Sequence, residues 1–117
     1  MLYKKGKHII ATIKTPSNNL LNEFINCKAC IDNLIKKFSL VNLGEVYHNF
    51  SPNGFTAVVC LSESHISLHT WPEHNLVNLD IYLSNYLRDN NDTVEHIFNE
   101  LVSFFKATII NQQTILR

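Results

Sequence analysis

The feature that most constrains the fold is a helical repeat of apolar residues near the N-terminus. Apolar side chains recur at three- and four-residue steps, at positions 20, 21, 24, 25, 27, 31, 34, 35 and 38. This spacing predicts a helix over residues 20–38 with one buried stripe, and Ser17 is a candidate for its cap. A helix with a single apolar stripe needs a second layer to pack against.

Most of the remaining chain has the composition of β-strands. Strand patterns cover residues 8–14, 44–50, 55–61, 66–70, 76–83 and 107–116, and a second helical pattern begins at Asp92 or Thr93 and runs to Phe105. A turn sequence at 51–54 joins two of the strands into a hairpin. The order predicts an α+β two-layer sandwich, a mainly antiparallel sheet with helices packed on one face.

Length and charge favour one soluble domain over residues 1–117. The chain has 117 residues, 45% of them hydrophobic, with ten basic and ten acidic side chains. A net charge of zero supplies no field for nucleic acid or an anionic membrane, and no apolar run approaches the roughly 20 residues that span a bilayer. With no secretory signal pattern either, we expect a cytoplasmic protein.

The three cysteines do not suggest a disulfide framework, because their number is odd and the chain is large enough to bury a core. Cys27 and Cys30 form a Cys-x-x-Cys pair inside the first predicted helix, where Cys27 fits the apolar stripe. Cys60, between Val59 and Leu61, is predicted to be a core residue of its strand.

Residues 62–73 are unusually polar for a segment between core strands. They include two carboxylates, two histidines, three serines and the single tryptophan. Because unpaired polar groups destabilise a core, this segment is a candidate site. Three interpretations stay open: a metal site formed by Glu63, His65, His69 and Glu73, although without zinc spacing; a hydrolase pair of Ser64 or Ser67 with His69; or an ordinary polar edge strand.

Residues 61–73 (LSESHISLHTWPE) resemble the processing-site motif of the short prokaryotic S-adenosylmethionine decarboxylases, which cleave themselves between Glu and Ser. Residues 50–59 are similar to the family's Phe-x-Pro-x-Gly-x-Thr/Ser-Gly-Val-Val, and Gly6-Lys7-His8 is similar to its opening Gly-x-His. In outline the resemblance covers nearly the whole chain. It implies cleavage between Glu63 and Ser64 into chains 1–63 and 64–117.

The resemblance also implies the chemistry of the site. Ser64 would attack the carbonyl of Glu63, His69 and Thr56 would assist processing, and residue 64 would become a pyruvoyl group that binds the substrate amine as a Schiff base. Neither a metal nor pyridoxal phosphate is expected.

The implied substrate is S-adenosylmethionine, decarboxylated to an aminopropyl donor for spermidine and other polyamines. Phe50 and Trp71 align with positions that flank the adenine, and Glu73 with a carboxylate that binds the ribose. The resemblance implies a homodimer of cleaved protomers whose sites are shared across the interface. We therefore expect the site residues to converge on one pocket, within one chain or across two.

Two departures from the family pattern affect the chemistry. Ser84 stands where the family has a proton-donating cysteine, and a hydroxyl is a far weaker acid than a thiol of pKa about 8.5. His48 and His74 are unassigned candidates for a substitute acid. In the first strand, Lys14 lies in a region where the family carries an acidic residue. These departures leave two alternatives: a pyruvoyl-dependent decarboxylase of ornithine or arginine, or an uncleaved, non-catalytic paralogue that pairs with an active subunit.

Overall fold

A computed structural model describes residues 2–117. The strands are β1 (Lys7–Lys14), β2 (Asn42–Asn49), β3 (Phe55–Leu61), β4 (Ser64–Trp71), β5 (Leu76–Leu83) and β6 (Thr108–Leu116). The helices are α1 (Ile25–Lys37) and α2 (Asn91–Phe104), with short 3-10 helices at Asn18–Leu21 and Pro72–His74. No helix within residues 2–117 is both long and apolar enough to cross a membrane.

The six strands form one sheet in the order β2-β3-β4-β5-β1-β6, and every neighbouring pair is antiparallel. Along the inner strands, alternate side chains are buried. They pack with the buried faces of α1 and α2 in one core. The opposite side of the sheet, called the open face below, carries Thr56, His69 and Trp71, among others. The predicted α+β sandwich with helices on one face is confirmed.

The first helix begins later than its apolar repeat predicts. Residues 18–21 form a 3-10 helix, α1 begins at Ile25, and Ser17 makes no side-chain capping hydrogen bond. The break arises because backbone groups needed for a continuous helix are engaged elsewhere. Gly54 N–H donates to the Asn22 carbonyl at 2.9 Å, and Phe24 N–H donates to Asn49 Oδ1 at 2.9 Å.

The three cysteines differ in their exposure to solvent. Cys27 is buried in α1 as predicted, and burial raises the pKa of both Cys27 and Cys30, which keeps these thiols protonated. The prediction that Cys60 belongs to the core is wrong. Strand alternation directs its neighbours Val59 and Leu61 toward the helices, so Cys60 lies exposed on the open face.

The core predicts contrasting effects for two isoleucines of α1. Ile31 is fully buried, whereas Ile25 is 61% exposed. In a Ser64→Ala background, which removes the predicted cleavage nucleophile, Ile31→Ala is expected to lower the free energy of unfolding by about 2–5 kcal/mol. Ile25→Ala should change it by less than about 0.5 kcal/mol. Urea denaturation measures both values, and similar losses for the two variants would contradict the packing of α1.

Candidate functional site

A cavity of about 360 Å³ opens at the end of β4. Its walls come from the β2–β3 turn, the start of β3, the end of β4 and the 3-10 helix that follows. Five residues identified from the sequence line it: Phe50, Thr56, His69, Trp71 and Glu73. We call these five the pocket cluster. Phe50 and Trp71 are 51% and 45% exposed, so much of each aromatic surface is free to contact a ligand.

Thr56 and His69 form a hydrogen-bonded pair in this cavity. They face each other directly in the β3–β4 register, and Thr56 Oγ1 lies 2.5 Å from His69 Nδ1. His48 is opposite Thr56 on β2, with its ring edge-on to Phe50 at a centroid distance of 4.9 Å. Because Nδ1 is engaged by Thr56, Nε2 is the ring nitrogen left to exchange a proton with a ligand.

The other predicted residues lie at the opposite end of β4. Leu61 pairs with Ser64, so Ser62 and Glu63 form a two-residue turn. At Ser64 the backbone φ is 131°, in a region that residues with a side chain rarely adopt. The residue on the C-terminal side of the predicted cleavage bond therefore holds a strained backbone conformation.

The side chain of Glu63 is buried and paired. Arg88 donates to both carboxylate oxygens, from Nη2 to Oε1 at 2.9 Å and from Nε to Oε2 at 3.2 Å. Asn90 Nδ2 also donates to Oε2, at 2.5 Å. Burial raises the pKa of Glu63, but the hydrogen bonds from Arg88 and Asn90 and the guanidinium charge outweigh it, and the pKa lies below its ordinary value. The carboxylate is therefore ionised at neutral pH.

The main chain of Glu63 contacts Ser84. The backbone N–H of Ser84 donates to the Glu63 carbonyl oxygen at 2.8 Å. A donor placed on a carbonyl stabilises the negative charge that develops on its oxygen during nucleophilic attack. Glu63, Ser64 and Ser84, which we call the cleavage cluster, thus combine a carbonyl that accepts one backbone N–H with an adjacent hydroxyl residue.

The cleavage and pocket clusters do not meet within one chain. His69 and Trp71 follow Ser64 along β4 by five and seven residues. At about 3.3 Å per residue, these positions are roughly 16 and 23 Å from Ser64. The expected site residues are therefore divided between the two ends of one strand.

The residues considered as metal ligands from the sequence are also dispersed. Glu63 binds Arg88, while His69 and Glu73 line the cavity. His65 instead lies near His8 and Asp80, and one ligand atom from each of these three residues falls within 4.8 Å of the others.

Hydrogen bonding already accounts for this second group. Arg117, which can only donate, lies with Nη1 3.4 Å from His8 Nδ1, so the ring proton of His8 is on Nε2, directed at Asp80 Oδ1. His65 Nε2 lies 3.4 Å from the same oxygen. The group is thus arranged as a hydrogen-bonded network, in which the His8 nitrogen facing Asp80 carries a proton rather than a free lone pair.

No sequence pattern indicates a functional role for Arg88 or Asn90. Both lie in the polar stretch between β5 and the start of α2, where no periodicity marks any residue. The contact with Glu63 joins positions 25 and 27 residues apart and arises only in the folded chain.

The chain is similar to known proteins of one family. The family model described as S-adenosylmethionine decarboxylase matches residues 7–117. A relative from Archaeoglobus fulgidus, named S-adenosylmethionine decarboxylase proenzyme, is 40% identical over 77 residues, covering 66% of this chain and 69% of its own. A relative of the same name from Thermoplasma volcanium is 35% identical over 112 residues, covering 96% of this chain and 83% of its own.

The fold agrees with the match. The crystal structure of the adenosylmethionine decarboxylase from Aquifex aeolicus superimposes with a TM-score of 0.79 at 23% identity, covering 99% of this chain and 91% of that one. The family model spans almost all of the described fold, including both clusters. The chain therefore belongs to the S-adenosylmethionine decarboxylase family.

Proposed function

We propose that this chain is the precursor of a pyruvoyl-dependent S-adenosylmethionine decarboxylase that cleaves itself between Glu63 and Ser64. The observation that carries the proposal is the strained backbone of Ser64, directly after a carbonyl that accepts the Ser84 N–H. The word proenzyme in the names of the relatives supports an activating cleavage. The chain itself, residues 1–117, is proposed to be one catalytic domain.

Cleavage would proceed by transfer of the Glu63 acyl group from nitrogen to oxygen. Ser64 Oγ attacks the Glu63 carbonyl carbon, and the C–N bond breaks as an ester forms. Removal of the Ser64 Cα proton then breaks the Cβ–Oγ bond. The main-chain carboxylate of Glu63 leaves, and dehydroalanine remains at position 64. Its imine form takes up water and releases ammonia. The products are chains 1–63 and 64–117, the second with a pyruvoyl group at its start.

His69 is the proposed base for the Cα proton, with Thr56 holding its ring. Because His69 is at the far end of β4 from Ser64 in the same chain, the proposal requires a homodimer. An isologous pair with the open faces together and their strands reversed would bring the His69 end of β4 in one subunit beside the Ser64 end of β4 in the other. The same packing would cover the exposed apolar residues Ile10, Val46 and Val58 of that face.

The pocket cluster is proposed to bind the nucleoside end of S-adenosylmethionine. The rings of Phe50 and Trp71 would contact the adenine, and the Glu73 carboxylate would accept hydrogen bonds from the ribose hydroxyls. A pyruvoyl carbonyl would supply the electron sink that decarboxylation needs. Ser84, at the family's proton-donor position, is proposed to return a proton to the product, an aminopropyl donor for polyamine synthesis.

Self-cleavage is tested by intact mass under denaturing conditions. The wild-type protein should give two chains whose masses match residues 1–63 and a pyruvoyl-blocked 64–117. Ser64→Ala should give one full-length chain, because it lacks the attacking hydroxyl. The cleaved protein should release CO₂ from carboxyl-labelled S-adenosylmethionine. A wild-type chain that stays full-length on long incubation would overturn the proposal.

The shared site is tested by mixing two inactive chains. Ser64→Ala keeps His69, and His69→Ala keeps Ser64, so neither should cleave alone. When the two are co-expressed with different tags, mixed dimers contain one complete site, and fragments should appear from the His69→Ala chain only. If tag pull-down recovers mixed dimers and the His69→Ala chain remains whole, the two clusters do not cooperate across subunits.

The assignment of the pocket predicts a change in substrate affinity. Stacking of a base on an aromatic ring contributes about 1–3 kcal/mol, so Phe50→Ala or Trp71→Ala should raise KM for S-adenosylmethionine by about 5- to 160-fold. Trp71→Phe retains a ring and serves as the matched control, with a smaller rise. Mass spectrometry first establishes that each variant is cleaved. Unchanged KM in both alanine variants would exclude adenine stacking by these residues.

A further inference from the structure

We infer that Arg88 is a positioning residue for self-cleavage, which holds Glu63 so that its carbonyl stays on the Ser84 N–H. The inference rests on the proposed function and adds to it a residue outside the motif that suggested the cleavage. Arg88 is 25 residues from Glu63 in the chain and lies between β5 and α2.

Arg88 joins three parts of the fold at one point. Besides its two contacts with the Glu63 carboxylate, its Nη2 group donates to the carbonyl oxygens of Phe38 and Ser39, at 3.0 and 3.2 Å. Those two residues directly follow α1. The guanidinium therefore ties the β3–β4 turn to the end of the first helix, and its planar array of donors suits such multiple acceptors.

Asn90 connects the carboxylate of Glu63 to Ser84. Its amide nitrogen donates to Glu63 Oε2 at 2.5 Å and to the Ser84 carbonyl oxygen at 2.9 Å. Asn90 is itself buried, and its backbone N–H donates to Asn85 Oδ1 at 2.8 Å. The side chain and the main-chain carbonyl of Glu63 are thus both held against the segment that begins at Ser84.

Two features make this contact more than a general stabiliser of the surface. The Glu63 side chain is only 7% exposed, so its carboxylate has little water to replace a lost partner. The next residue, Ser64, has its backbone at φ 131°, and a turn released from Arg88 can relax toward an allowed conformation. Relaxation would move the carbonyl away from the Ser84 N–H.

The ion pair of Lys7 with Glu95 provides a contrast. It joins β1 to α2 through one contact at 3.0 Å, and neither of its side chains hydrogen-bonds Glu63, Ser64 or Ser84. Both pairs link a strand region to the segment around α2, but only the Arg88 pair acts on the strained turn. Lys7→Met is therefore the matched control.

The experiment follows the appearance of the two fragments by intact mass after synthesis of full-length chains in a cell-free system. A displacement of about 1 Å in a reacting group can slow a reaction by about 10²-fold, and Arg88→Met should slow cleavage to a comparable degree. Arg88→Lys keeps the charge with fewer contacts and should be slowed less. Lys7→Met should cleave at the wild-type rate. Added methylguanidine should accelerate cleavage of Arg88→Ala while leaving the wild-type rate unchanged.

The outcomes distinguish the inference from the proposed function. A wild-type chain that never cleaves would overturn both. A wild-type chain that cleaves, with Arg88→Met cleaving equally fast, would overturn only the role of Arg88. Thermal unfolding of the same substitutions in the uncut Ser64→Ala background separates positioning from folding. Slow cleavage that accompanies a large loss of thermal stability, and that methylguanidine does not restore, would also overturn the inference.

Discussion

The register of the β3–β4 hairpin is the constraint on which the site depends. Pairing of Leu61 with Ser64 leaves only Ser62 and Glu63 for the turn, and Ser64, the first residue after the turn, has the unusual backbone. The same register sets Thr56 opposite His69. A slip of one residue would turn the core side chains of β4 onto the open face and separate that pair. The hydrophobic alternation that builds the core therefore also aligns the polar residues.

Electrostatic character differs between the two ends of β4. At the start, a buried carboxylate is surrounded by fixed donors from Arg88 and Asn90, which suits a turn that must keep one geometry. At the end, His69 is exposed and held by a single hydroxyl, beside aromatic rings that are half accessible. This second arrangement suits the binding of a ligand and the movement of a proton. The two clusters at opposite ends of β4 thus differ in burial and in the number of donors that hold them.

Periodicity in the sequence was sufficient for the layers of the fold and for the burial of Cys27, because each strand and helix carries its own apolar pattern. It failed where tertiary hydrogen bonds override local preference. The apolar repeat continues through Leu21 and Phe24, yet α1 begins only at Ile25 because the β2–β3 region takes the intervening backbone groups. The motif at residues 61–73 contains members of both clusters but does not indicate their separation, which depends on strand length. No local pattern marks Arg88, since its contacts with Glu63, Phe38 and Ser39 are all long-range.

The order of strands has a further consequence for a protein cut between Glu63 and Ser64. Chain 1–63 would contain β1, β2 and β3, and chain 64–117 would contain β4, β5 and β6. In the sheet, β1 is inserted between β5 and β6, while β3 borders β4. The two polypeptides would be interleaved, sharing three strand borders, and could separate only by breaking all three ladders of backbone hydrogen bonds. The backbone hydrogen bonds of the sheet would thus hold the two chains of the protomer together after the peptide bond between them is cleaved.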